Sequence, residues 1–304
     1  MGLLEGKVVI VTGAGNGVGK GIAVEAARQG AKVVVNDLGV SIAGDGTDSS
    51  PAQRTVDEIR AFGGTAVANF DSVADWDAAH RIVAQAVETY GALHGVVNNA
   101  GNLRDGIFHK MPEEDFDAVV KVHLKGSFNM SRAAAPHFKN QPSSAFVHMT
   151  STSGLIGNMG QANYSAAKMG VVGLSKSIAI DMQRFGTRSN CIAPFAFTRM
   201  VDTIPATTPE GEARMAMNRR MEAAKIAPFA CALLTDAAAD VTGQIFGVRN
   251  NEIYLFSQPR PIRTAHAGGD GWTVEDCVAR ALPMMKASFF PLDKSRDVFS
   301  WDPV

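Results

Sequence analysis

The sequence predicts a doubly wound parallel α/β sheet, and three observations predict it. Short β-branched runs alternate with longer stretches of helical period along most of the 304 residues. The first of these runs empties into a glycine-rich turn that opens a helix. The composition, 46% hydrophobic with only 7% aromatic, is that of a globular chain with a sizeable core. The expected architecture is a single Rossmann-type domain over residues 1–250 with an extended C-terminal tail, 251–304, packed on the same domain or on a neighbouring subunit.

Taken in order, strands are expected at Val8 to Thr12, Lys32 to Asp37, Thr65 to Asn69, Leu93 to Asn98, Ala145 to Thr150, Thr187 to Ala193 and Gln244 to Val248. Helices lie between them: Gly17 to Gln29 stops at Gly30, and Trp76 to Tyr90 stops at Gly91. Leu38 to Pro51, rich in Gly, Ser and Asp, reads as an inserted surface loop. Residues 194–228 hold Pro205, Pro209 and the cluster Met200, Met215, Met217 and Met221. Methionine suits adaptable binding surfaces as well as cores, so this segment is either a lid over a substrate or ordinary filler. The tail is too apolar to be disordered and carries a helical pattern at Thr273 to Met285.

Charge excludes several functions. Lys and Arg total 29 against 30 acids, a formal net charge of -1, which leaves no electrostatic footprint for nucleic acid or an anionic membrane. A small-molecule substrate fits better. No apolar run approaches the ~18 residues of a membrane span. Cys191, Cys231 and Cys277 are odd in number and far apart, which argues against disulfides or a zinc site and for a reducing compartment. With no leader-like segment at Met1, the expected location is cytoplasmic.

The turn Thr12-Gly13-Ala14-Gly15-Asn16-Gly17-Val18-Gly19 has the glycines needed where backbone approaches a pyrophosphate seated on a helix start. Gly13, Asn16, Gly17 and Val18 are the candidate contacts. The spacing departs from the strict G-x-G-x-x-G form at Val18 and Lys20, and it is not a P-loop, since Gly19-Lys20 is followed by Gly21. Asp37 ends the second strand, where a carboxylate accepts from ribose hydroxyls and repels a 2′-phosphate. No Arg stands at Leu38 or Gly39 to offset that charge, so the cofactor expected is NAD rather than NADP. The bland alternative for Asp37 is a strand-end turn residue.

Tyr164 and Lys168, four residues apart, share one face of a helix, and Ser151 stands thirteen residues earlier at a strand end. A phenol with an ordinary pKa of about 10 becomes a useful base when a cation beside it stabilises phenolate. In this reading Lys168 supplies that cation, and Ser151 donates to the substrate oxygen.

With these motifs in order, the sequence resembles the short-chain dehydrogenase/reductase family over roughly residues 5 to 250, through Thr12-Gly13-x-x-x-Gly17-x-Gly19, Asn98-Asn99-Ala100-Gly101, Ser151 and Tyr164-Ser165-Ala166-Ala167-Lys168. The resemblance implies that Tyr164 transfers a proton, Ser151 orients the carbonyl or alcohol, and Lys168 also holds the nicotinamide ribose. It further implies that Asp71, Ser72 and Val73 border the adenine, that Asn99, Ala100 and Gly101 line the cofactor cleft, and that Pro194 and Thr198 face the nicotinamide. Family members commonly pair through helices near 110 to 140 and 161 to 184, so a homodimer or homotetramer is expected; the small-residue face of Ala162, Ala166, Met169, Gly170 and Val172 would equally suit an internal core.

Two departures stand out. His123 replaces the family's usual Asn, which helps hold a water in a proton relay; a working relay and a purely structural histidine are both open. Phe195 follows Pro194 where Gly is common, and is expected to narrow the space beside the nicotinamide. Several blocks, among them Val67 to Val73, Leu103-Arg104-Asp105, Val122-His123-Leu124 and Gly157 to Tyr164, resemble the (3R)-hydroxyacyl-CoA dehydrogenase part of the peroxisomal multifunctional β-oxidation enzyme, and the tail is similar to that of stand-alone actinobacterial relatives. The implied reaction is NAD-linked oxidation of a 3-hydroxyacyl-CoA, including bulky or steroid side-chain acyl groups. A 17β-hydroxysteroid dehydrogenase would share every catalytic residue. A non-catalytic dinucleotide-binding regulator is disfavoured because Ser151, Tyr164 and Lys168 are all kept.

Overall fold

The computed structural model describes residues 2–41, 43, 45, 46, 48–196, 212, 215 and 219–304. Its strands are β1 Val8–Thr12, β2 Lys32–Asn36, β3 Thr65–Asn69, β4 Gly95–Asn98, β5 Ser144–Met149, β6 Thr187–Phe195, β7 Ile245–Arg249 and β8 Glu252–Leu255. The helices used below are α1 Gly17–Arg28, α2 Ser50–Ala61, α3 Trp76–Tyr90, α4 Glu113–Val120, α5 Gly126–Phe138, α6 Thr152–Leu155, α7 Ala162–Asp181 and α8 Ala227–Ala232.

The strands form one sheet in the order β3-β2-β1-β4-β5-β6-β7-β8. Every pair from β3 to β7 is parallel. A parallel sheet is covered on both faces, so its strands read as continuous apolar runs. Alternation still sorts the side chains: Val9, Val11, Val33 and Val35 pack with Ile22 of α1, Ile59 of α2 and Ala230 of α8. Val8, Ile10 and Val34 pack with Ile82 of α3 and Met130 and Phe138 of α5 on the other face. The chain reverses its winding between β1 and β4, and the crevice at the carboxyl ends of those strands is where open α/β sheets bind ligands.

The sequence pattern misses β8. It follows β7 after a two-residue turn, Asn250-Asn251, with Asn250 at φ 54°, and pairs antiparallel with β7. The tail therefore begins as the last strand of the main sheet. Its end returns to the body: Ser295 N donates to Gly157 O (3.0 Å), and the Phe299 ring meets Phe195 edge to face at 4.7 Å between centroids. Within the 194–228 segment Met215 is buried and Met221 half-buried, whereas Met200, Met217 and Thr198 lie outside the described residues, as does most of the proposed lid. Among the described residues no helix is long and apolar enough to cross a membrane.

Candidate active site

The turn after β1 is shaped by close backbone approach. Gly13 has φ 62°, and a Cβ there would stand 2.8 Å from Ala100 Cα; one on Gly19 would stand 2.2 Å from Gly13 O. Gly17 also has positive φ, at 54°. Neither backbone conformation suits a residue with a side chain. The loop is clamped from below: Asn99 Nδ2 donates to Thr12 O (2.9 Å) and Gly13 O (3.0 Å), while Thr12 Oγ1 accepts from Asn99 N and Ala100 N. Asn16 caps α1 without a side-chain hydrogen bond, and the first turn holds no acidic residue. Its N–H groups and positive dipole end are thus open to an anion. Asp37 accepts from Gly15 N and Gly39 N, both at 2.7 Å, so the acid also ties the turn to the inserted loop. A cradle that a single Cβ would fill, ending on an uncapped helix start, fits a dinucleotide pyrophosphate.

On the opposite wall, Ser151 lies just past β5 and caps α6, its Oγ accepting from Ser153 N (3.1 Å). Tyr164 lies in the first turn of α7, and Asn163 beside it is fully buried, donating to Arg104 O (2.7 Å) and Asp115 O (3.1 Å). That buried amide fixes where the helix starts. One turn on, Lys168 is 4% exposed, its Nζ 5.5 Å from the Tyr164 ring centroid and donating to Met149 O (2.6 Å).

The electrostatics differ from the sequence expectation. Burial pushes the Tyr164 phenol up to about 12; the opposing influence is the Ser151 hydroxyl, and the nearby Asp105 carboxylate adds to the rise. Burial brings the Lys168 ammonium down to about 7. Lost hydration thus works against the charged form of each member of the pair, while Lys168 Nζ gives a hydrogen bond to the Met149 carbonyl.

His123 sits in a π-helical turn, Lys121–Lys125, between α4 and α5. Its Nε2 meets Asn102 O (2.8 Å) and Asn102 N (3.2 Å), while Nδ1 is buried without a partner among the described residues. The ring stands edge-on to Tyr164, centroids 5.1 Å apart, and a Cβ on Gly101 would strike it at 2.2 Å. Burial, aided by Lys168, holds its pKa well below the ordinary histidine value. His123 is thus a neutral ring wedged under the site. Phe195 corrects another expectation: its side chain is absent from the cleft wall and turns to Phe299, so Pro194 and Ala196 face the cleft instead.

All these groups meet in one cleft of about 770 Å³. Its walls bring together Gly13, Asn16, Gly17, Val18 and Asp37, then Asp71, Ser72 and Val73, then Asn99, Ala100 and Gly101, and finally His123, Ser151, Tyr164, Lys168 and Pro194. Thr198 lies outside the described residues. The sequence reading overlooked Asp105, Ser153, Asn158 and Gln161, which line the same cleft. For Asn158 and Gln161 the signal was uncharged polar side chains shortly before Tyr164, in a run noted only for its likeness to relatives.

Comparison with known proteins agrees with this geometry. The family model described as Enoyl-(Acyl carrier protein) reductase matches residues 13–249. A Mycobacterium tuberculosis protein named as a short-chain type dehydrogenase/reductase is 43% identical over 284 residues, covering 91% of this chain and 93% of that protein. The hydroxyacyl-CoA dehydrogenase ChsB1 of the same organism is 37% identical over 288 residues, covering 91% of this chain and 87% of its own. The peroxisomal multifunctional enzyme type 2 of Mus musculus is 48% identical over 200 residues, which span 66% of this chain but only 27% of that enzyme. The crystal structure of a short chain dehydrogenase from Mycobacterium avium superposes with a TM-score of 0.82 at 36% identity, covering 95% of this chain and 98% of that one.

Proposed function

The chain belongs to the short-chain dehydrogenase/reductase family, and we propose that it oxidises the secondary alcohol of a 3-hydroxyacyl-CoA to the 3-oxoacyl-CoA with NAD. It is an oxidoreductase of a family that binds nicotinamide dinucleotides. The observation that carries the proposal is the convergence of Ser151, Tyr164 and Lys168 on the cleft that also holds the Gly13–Gly17 cradle and Asp37. NAD is favoured by Asp37, whose carboxylate both ties the cradle and repels a 2′-phosphate. The thioester substrate is favoured by the likeness to a relative named as a hydroxyacyl-CoA dehydrogenase.

Bound in the cradle, NAD supplies the hydride acceptor and a positively charged ring. Tyr164 takes the hydroxyl proton of the substrate, and Ser151 donates to the same oxygen as its carbonyl character grows. Lys168, anchored on Met149 O, keeps its amine on the Tyr164 side of the cleft and would meet the nicotinamide ribose. Asn99 holds the cradle against β4, and Gly101 leaves the room that the His123 ring occupies. We further propose a homodimer or homotetramer acting in the cytoplasm on a small-molecule substrate.

The test is a steady-state assay with NAD and a 3-hydroxyacyl-CoA. Turnover at ordinary enzymatic rates is expected; turnover of a free steroid alcohol with none of the thioester would overturn the substrate reading.

A further inference from the structure

The loop between β2 and α2, which the sequence marks as an insertion, reaches across the cleft. Its neck is closed: Asp37 Oδ1 accepts from Gly39 N (2.7 Å), and a Cβ on Gly39 would stand 1.6 Å from Asp48 O. Its tip is a turn of its own, with Ser41 N donating to Asp45 O (2.8 Å) and Asp45 N to Ser41 Oγ (3.2 Å). Val40 and Ser41 line the cleft beside Asp37, and Arg104, from the loop after β4, lines it too. Arg104 grips the tip: Nε donates to Ala43 O (2.9 Å), and Nη2 pairs with Asp45 Oδ1 at 3.2 Å. Its Nη1 pairs with Asp115 Oδ1 of α4 at 3.3 Å.

A guanidinium suits this post because its donors lie in one rigid fork, so acceptors on the loop and on α4 are met at once. The Arg104 main chain is held independently, its carbonyl accepting from Asn163 Nδ2 (2.7 Å) next to Tyr164. The insertion is therefore tied at its neck to Asp37, which also holds the cradle through Gly15 N, and at its tip to the far side of the crevice. A dinucleotide seated on the Gly13–Gly17 cradle beside Asp37 lies behind that tip, and its exchange past the tip requires the Arg104 contacts to part. None of those contacts is made to the ligand, so the pin weighs equally on free and bound protein. An interaction equal in both states shifts no equilibrium between them and acts on the barrier alone.

We propose that the inserted loop is a strap over the adenosine end of the dinucleotide cleft and that Arg104 is the positioning residue that pins it, so that the two together set how fast NAD and NADH exchange. This rests on the reading of the cleft as a dinucleotide site. The Tyr164 end is left alone by the pin, because Arg104 reaches the loop with its side chain and α7 with its main chain.

Stopped-flow measurement of NADH binding and release, read by NADH fluorescence on the full chain, tests this. In Arg104→Ala both rate constants are expected to rise about fivefold while the dissociation constant moves less than about twofold. Asp45→Ala, at the exposed tip, is expected to raise both about threefold, and the double variant to be no faster than Arg104→Ala alone. Unchanged rate constants in Arg104→Ala would overturn the strap. So would faster release with unchanged association, which would place Arg104 on the ligand itself, and so would a double variant in which the two effects multiply. Should Arg104→Ala fold poorly, Asp45→Ala carries the test by itself, and rate constants equal to wild type would overturn the strap. A wild type that binds neither NADH nor NADPH would sink the dinucleotide reading and the strap together; tight NADH binding with exchange indifferent to both substitutions would sink the strap alone.

Discussion

Tyr164 and Lys168 share a setting that works against both of their charged forms. Lost hydration pushes the phenol up to about 12 and the ammonium down to about 7. Alcohol oxidation needs Tyr164 as proton acceptor, and the fraction of phenolate grows as pH rises toward its pKa. The kcat/KM for oxidation is therefore expected to climb with pH between roughly 7 and 10, by up to about tenfold per unit. Ketone reduction needs the protonated phenol and is expected to stay level or fall over the same range. Steady-state rates in both directions across that range check this; an oxidation rate that falls with pH would contradict it. His123 adds no limb near neutrality, because burial keeps its ring uncharged. Seen from the sequence, the tyrosine and lysine positions were legible, since a four-residue spacing on a helix leaves little choice of face. Their ionisation was not, because hydration lost to distant walls leaves no mark in a local motif. The orientation of Phe195 was hidden for the same reason, its partner Phe299 lying 104 residues further on in the sequence.

At the scale of elements, the cradle depends on the turn from β1 into α1. Gly13→Ala places a methyl where Ala100 Cα stands 2.8 Å away and forces a side-chain residue to φ 62°. NAD affinity is expected to drop at least about tenfold by titration calorimetry, since the loop must move to admit the methyl. Unchanged affinity would mean that the dinucleotide does not rest on this turn. Asp37→Ala removes the acceptor of two N–H groups and the charge that opposes a 2′-phosphate. Its NAD to NADP preference is expected to fall by about tenfold or more, measured as the ratio of the two dissociation constants. The glycine turn, α3 and most strand centres were readable from period and punctuation, and α3 runs from Trp76 to Tyr90 with Gly91 as its stop, as the pattern predicts. The strand β8 was not, because an edge strand with Ile253 and Leu255 exposed lacks the apolar run that marks its buried neighbours. The π-helical turn at 121–125 likewise has no sequence period of its own; the sequence singled out His123 only as a departure from relatives.

For the whole molecule, the buried amine of Lys168 couples folding to pH. Its pKa is about 7 in the folded chain against an ordinary 10.5, so between those values the unfolded chain binds the extra proton and stability rises with pH. Denaturant unfolding of wild type and Lys168→Met is expected to show wild type gaining on the variant from pH 7 to about 9. No change in the difference across that range would place the amine in water. The end of the tail closes an aromatic cluster of Phe195, Tyr254, Phe299 and Trp301 over the β7–β8 edge. The most direct test of the proposed chemistry is NADH formation from a 3-hydroxyacyl-CoA by wild type and by Tyr164→Phe, with NAD affinity measured on the same samples. A rate at least about a hundredfold lower in Tyr164→Phe, at unchanged NAD affinity, is the expected result. Equal rates would contradict a phenol that carries the proton.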